Sequence, residues 1–180
     1  NAKMNVTGYR YDPEKAMELI KEFKKNHKNK TPELTLSTDA NYVDLCTYLQ
    51  HAYEKVGIKL HVEVMPPAAL RQAKTNGKAA LFRASWVADY PDPENYLLPF
   101  HSNNFTPNGP NYTHFSNTEF DQLYTNIIQE TDKKLRNQKL TYLDQMLIEE
   151  APFIILYYDE ALRFVQPKVQ GMTINPINML

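Results

Sequence analysis

Apolar residues recur at helical spacing in four stretches and alternate in another. Ala16, Leu19, Ile20 and Phe23 predict a helix. Asp12-Pro13-Glu14 supplies its start: Asp12 to cap, Pro13 for the first helical position, Glu14 for the positive end. Asn29 to Pro32 breaks the pattern, and LTLST, 34–38, predicts a strand. Tyr42, Leu45, Cys46, Leu49, Tyr53 and Val56 form a second helical stripe, with Gly57 placed to end it. Ile58, Leu60, Val62 and Val64 then alternate with Lys59, His61, Glu63 and Met65, the period of a strand with one polar face. Strand, helix and strand in this order predict a parallel βαβ unit with a right-handed crossover.

Pro66-Pro67 predicts a short third helix through about Asn76, closed by Gly77. AALFRASWV, 79–87, is almost continuously apolar, which predicts a strand covered on both faces, with Arg83 its only charge. A short helix or turn around Glu94–Leu98 follows, and 99–116, without regular period, reads as a long functional loop or a surface lid. Ser116 and Glu119 match a capping box before a helix bearing Phe120, Leu123, Tyr124, Ile127 and Ile128. Asp132 opens another helix with Leu135, Leu143, Met146 and Leu147 inward, closed by Glu149-Glu150-Ala151-Pro152. FIILYY, 153–158, predicts a further buried strand, Leu162–Val165 a segment that pairs elsewhere, and 166–180 has no clear period.

The 180 residues suffice for one substantial core. A formal net charge of −1 and the lack of a Lys/Arg stripe argue against a nucleic-acid partner. The densest basic stretch, KEFKKNHKNK at 21–30, reads as a solvated helix end. The single cysteine, Cys46, lies on an apolar stripe and reads as a core thiol. No run approaches the roughly 20 apolar residues of a membrane span, and the start shows no signal peptide.

No metal-ligand spacing links His27, His51, His61, His101 and His114, and no cofactor-binding motif occurs. His101 and His114 share the long loop and could meet there, as metal ligands, as ligand-facing groups or as plain loop polarity. Asn5, Asn104 and Asn111 each begin an Asn-X-Thr glycosylation sequon, relevant only in a eukaryotic secretory host. Asp89, at the end of the apolar run, is expected in a partly dry position where it needs a cation or hydrogen-bond donors. Trp86 beside it offers a flat wall with cation–π capacity. Backbone at a strand end can also pair with an extended peptide. The plain alternative is that Asp89 caps a turn and Trp86 is core.

ASWVADYPDPENYLLPF, 84–100, resembles the signature region of the extracytoplasmic oligopeptide- and dipeptide-binding proteins of ABC importers, solute-binding family 5. YDPEKAMELIKE, 11–22, resembles the helix after that family's hinge-side strands, and 123–158 resembles its long helix pair and following strand. The resemblance implies an α/β, periplasmic-binding-protein-like lobe: a central mixed, largely parallel sheet flanked by helices. Residues 1–158 are expected to form the second lobe of a two-lobed protein, and 159–180 a return segment into the first lobe. The start of the chain reads as abrupt, as expected of a C-terminal portion.

The implied function is reversible capture of a peptide in an interlobe cleft for import. The implied partners are a peptide ligand, the importer's membrane permease and the first lobe. The implied location is extracytoplasmic, in the periplasm or on a lipoprotein anchor. Asp89 stands where the family pairs an aspartate with the peptide α-ammonium, and Ser85, Trp86 and Val87 where backbone meets ligand backbone. Tyr90 and His114 complete the candidate set, together with Arg83, which could pair with a local or a ligand carboxylate. Neither a metal nor a cofactor is expected. Some family members take sugars, opines or nickel complexes, so a non-peptide solute is one alternative. A hydrolase using Asp89 or Asp92 with His101 or His114 is another, and a structural domain without a small ligand a third.

Overall fold

The computed structural model of the chain describes residues 6–158, 162 and 164–172. Its two compact units are Tyr9–Ser85 with Thr106–Asn108, and Asn1–Gly8 with Trp86–Phe105 and Gly109–Leu180.

The first is a sheet unit. It contains α1 (Pro13–Asn26), β1 (Glu33–Thr38), α2 (Val43–Lys55), β2 (Lys59–Val64), α3 (Pro67–Thr75) and β3 (Leu81–Phe82). The strands form a parallel sheet in the order β2-β1-β3, as the βαβ pattern requires. Register sets Leu34 against Leu60 and Leu36 against Val62 on one face. The other face carries Glu33 against Lys59, Thr35 against His61 and Ser37 against Glu63. Leu36, Leu60 and Cys46 form the buried cluster, with Tyr42, Leu49, Tyr53, Val62 and Leu81 packed on it. The Cys46 thiol is thus a core group, as expected. Asp12 caps α1 by accepting from Lys15 N at 2.8 Å. At Gly57 the chain takes φ +89, the left-handed turn that lets it leave α2.

Helix α1 forms over Pro13–Asn26 as its spacing predicts, although Leu19 is 53% exposed and none of its residues is buried. One expectation in this unit is corrected. The predicted doubly covered strand over 79–87 shrinks to Leu81 and Phe82, extended only by Arg83 N donating to Ser37 O at 3.1 Å. Ala84, Ser85, Trp86 and Val87 are exposed. The reason is position: β3 is an edge strand, and an apolar run is buried on both faces only where layers cover both.

The second is a helical unit. A series of short 3-10 turns from Pro93 to Asn104 leads through an irregular loop to α4 (Thr118–Gln129) and α5 (Lys133–Glu150). Leu97, Phe100, Phe120, Tyr124, Ile127, Leu140, Leu143, Met146 and Leu147 form one buried cluster. Phe115 meets Phe120 edge-on at 5.5 Å, and Phe153 stacks on Phe100 at 4.7 Å. The loop is ordered by Asn111, fully buried, whose Nδ2 donates to His101 O and Phe115 O at 3.1 and 2.9 Å. Both amide hydrogens are therefore taken, which leaves the Asn111 sequon without a free acceptor nitrogen. The chain crosses itself at Gly109, where a Cβ would lie 2.5 Å from Asn104 O.

Asp132 caps α5 as expected, accepting from Lys134 N and Leu135 N. Three expectations shift here. Asn117, not Ser116, caps α4, accepting from Glu119 N and Phe120 N. Asparagine caps as well as serine, and this start puts Phe120, Tyr124 and Ile127 inward. Leu135 is 43% exposed, and Leu140 takes the inward place one turn and a half later. The expected strand at 153–158 is absent: Phe153 is half-buried, but Ile154, Ile155, Leu156, Tyr157 and Tyr158 are exposed. Among the described residues no strand lies beside them to complete a ladder. Leu162, Phe164 and Val165 are exposed and outside any strand. Of the expected return segment, 159–161, 163 and 173–180 lie outside the described residues, as does the Asn5 sequon.

Candidate functional site

In the helical unit, residues 86–95 form a turn organised around one side chain. Asn95 is fully buried. The Trp86 indole N–H donates to both the carbonyl oxygen and Oδ1 of Asn95, at 3.0 Å each. Asp89 N donates to the same Oδ1 at 3.2 Å. Ala88, between them, is buried. The turn is therefore pinned from inside while its ligand-facing candidates point outward: Trp86 is 36% exposed, and Val87, Asp89 and Tyr90 are exposed.

Two further ties fasten the turn to the helices. Asp92 caps the 3-10 turn Pro93–Tyr96, accepting from Glu94 N at 2.9 Å, and pairs with Arg136 of α5 at 3.0 Å. The Arg136 Nε also donates to Ile127 O, so one guanidinium links the turn to both helices. Burial pushes the Asp92 carboxyl up, but the Arg136 hydrogen bond, the Glu94 N–H and the guanidinium charge together hold it below its ordinary value. Glu94 is buried, and its two carboxylate oxygens accept from the hydroxyls of Tyr90 and of Tyr124 on α4. The bond to Glu94 is the main reason the Tyr90 phenol is raised above its ordinary value.

Trp86, Asp89 and Tyr90 thus share one pinned turn. Two predicted properties of the site are corrected. Asp89 is not partly dry: it is exposed, and among the described residues its carboxylate has no hydrogen-bond or ion-pair partner. The strand that was to bury it ends seven residues earlier, at Phe82. Arg83 is half-buried, as its apolar setting suggests, but of its two open pairings the local carboxylate is not found among the described residues: its guanidinium lies 3.4 Å from the Tyr42 ring centre, within the sheet unit. Ser85 and Val87 are exposed and outside any strand.

His114 stacks on Phe105 at 5.1 Å, while His101 is buried, accepts from Asn103 N and faces Asp121. Among the described residues no group of three or more His, Cys, Asp or Glu side chains could hold a metal. Asp92, considered for acid–base work, is committed to Arg136. Sequence reading missed Asn95, Tyr124 and Arg136. Asp92-Pro93 is legible as a cap, but nothing local announces a pairing 44 residues away.

The family model for the middle region of the bacterial extracellular solute-binding proteins, family 5, matches residues 1–108. The chain belongs to this family. Among family 5 relatives, it is 27% identical over 170 residues to the dipeptide-binding protein DppE of Bacillus subtilis, covering 92% of this chain and 31% of that protein. It is 25% identical over 175 residues to heme-binding protein A of Haemophilus influenzae, covering 95% of this chain and 32% of that protein. The chain therefore spans about a third of the length of these curated relatives. Its fold is similar to the periplasmic binding protein DppA of Helicobacter pylori, solved with the peptide STSA: TM-score 0.73, 24% identity, 82% of this chain and 29% of that one. The α/β arrangement of parallel sheet and helices matches a single lobe of such a protein. The family is extracellular, and among the described residues no helix is long and apolar enough to cross a membrane.

Proposed function

We propose that this family 5 chain is the second lobe of a peptide-capturing receptor of an ABC importer, with Asp89 as the partner of the ligand's α-ammonium. The observation that supports the reading is an exposed carboxylate that has no cation partner among the described residues, on the same turn as a partly exposed indole and fastened to two helices. An ammonium placed there gains a charge-assisted hydrogen bond, and the Trp86 ring supplies an apolar wall. The exposed backbone at Ser85 and Val87 is free to add an extended peptide edge-on. Tyr90, Arg83 and His114 are secondary candidates for side-chain contacts.

Capture is reversible and involves no covalent step; closure of two lobes supplies the burial that one exposed face lacks. Residues 1–158 belong to the second lobe and 159–180 return toward the first, where the exposed run at 154–158 would find its cover. The further partner is the membrane permease, and the location is the periplasm or the outer face of the membrane on a lipid anchor. A non-peptide solute is the second reading, favoured by the relative named for heme.

Calorimetry of the whole protein with di- to oligopeptides tests the proposal. Asp89→Ala is expected to lose most of the affinity, about tenfold or more. Unchanged binding overturns the ammonium assignment, and peptide turnover would mark a hydrolase instead.

A further inference from the structure

The Asn95 side chain touches neither solvent nor any face open to a ligand, yet it joins the two residues that matter most to the proposed site. Its Oδ1 accepts from the Trp86 indole and from the Asp89 backbone at once. The indole does not need this side chain, because the Asn95 carbonyl accepts the same N–H at 3.0 Å. What the side chain alone contributes is the bridge from residue 86 to residue 89.

Among the described residues the buried Nδ2 makes no hydrogen bond of full geometry, though the Asn95 side chain also bears on the Tyr90 phenol, favouring its ionised form against the opposite pull of Glu94. An apolar side chain of the same shape would still leave Trp86 its carbonyl acceptor. It would not fix the Asp89 backbone relative to the Trp86 ring.

We infer that Asn95 is a positioning residue for ligand selection: it holds the Asp89 backbone, the root from which the carboxylate extends, on the same pinned turn as the indole, so that an ammonium meets both together. This rests on the ammonium reading of Asp89. Discrimination between an ammonium and an uncharged end needs the carboxylate fixed to within about 0.5 Å. Without the bridge, Asp89 still carries its charge but samples several places, and the advantage of a charged amine over a neutral amide falls.

The test compares a free-amine tripeptide with its N-acetylated form, by calorimetry on the whole protein. Wild-type protein is expected to prefer the free amine. Asn95→Leu, nearly isosteric and without an acceptor, is expected to cut that preference about tenfold. Asn95→Asp keeps the acceptor and is expected to hold the preference within about threefold of wild type. A purely structural role would weaken both peptides equally and leave the ratio unchanged. A preserved ratio in Asn95→Leu overturns the positioning role alone. A wild-type protein indifferent to acetylation overturns the ammonium reading and this inference with it. If circular dichroism shows Asn95→Leu unfolded, Asn95→Gln, which displaces the acceptor by one methylene, is read in the same assay with the same outcomes.

Discussion

The helical unit gathers nine side chains, from Leu97 to Leu147, into one buried cluster, whereas the sheet unit's cluster consists of Leu36, Cys46 and Leu60. Both units carry amphipathic helices. On α4 the stripe is covered at Phe120, Tyr124 and Ile127; on α1 no residue is buried. An amphipathic pattern records which face expects cover, and whether cover exists depends on what stands opposite. The candidate turn belongs to the better-packed unit and is tied to both of its long helices. If Asp89 recognises an ammonium as proposed, such a base favours it, because a turn that is already held loses less freedom on binding.

The sharpest way to break this contrast is to cut each core. Leu143→Ala, in the middle of the helical cluster, is expected to cost about 4–5 kcal/mol, and Leu36→Ala about 2 kcal/mol. Urea denaturation of the two variants checks the order, and a larger loss at Leu36 would remove the distinction.

A smaller effect is expected where the turn is tied down. Arg136→Met should cost about 1 kcal/mol at neutral pH, since the ion pair is partly open to water. The pH dependence has a defined sign. The folded carboxyl of Asp92 lies below its unfolded value of about 3.9, so the stability it contributes is full above that value. It is lost as pH falls through the lower, folded value. The gap between wild type and Arg136→Met should therefore close on acidification below about pH 4. A gap that persists in thermal melts at low pH would show that Arg136 acts through packing.

The smallest effect is expected on the outer side of the same turn. Asp89→Asn should change the melting free energy by no more than about 0.5 kcal/mol, because its carboxylate has no described partner to lose. A loss of about 1 kcal/mol or more would make Asp89 a structural cap.

Elements whose signals are local were readable in the sequence. Asp12-Pro13 and Asp132 mark helix starts, Gly57 a helix end, and the alternation from Ile58 to Val64 a strand. The runs at 79–87 and 153–158 misled for one reason: apolar composition reports a demand for cover, and along most of these two runs the described residues supply none. Trp86, Asp89 and Tyr90 were legible because they cluster within five residues. The groups that hold them were not: Asn95 resembles any turn asparagine, and Arg136 and Tyr124 come from helices far along the chain.

Trp86 is the only tryptophan among the 180 residues. Its N–H is already taken by Asn95 and about a third of its surface is open. Ultraviolet emission excited at the indole band of this chain thus comes from the candidate turn itself. A molecule that settles over the ring drives water from it and moves the emission toward the blue, while an event elsewhere in the chain leaves the colour unchanged. The turn is its own optical gauge, with no dye attached.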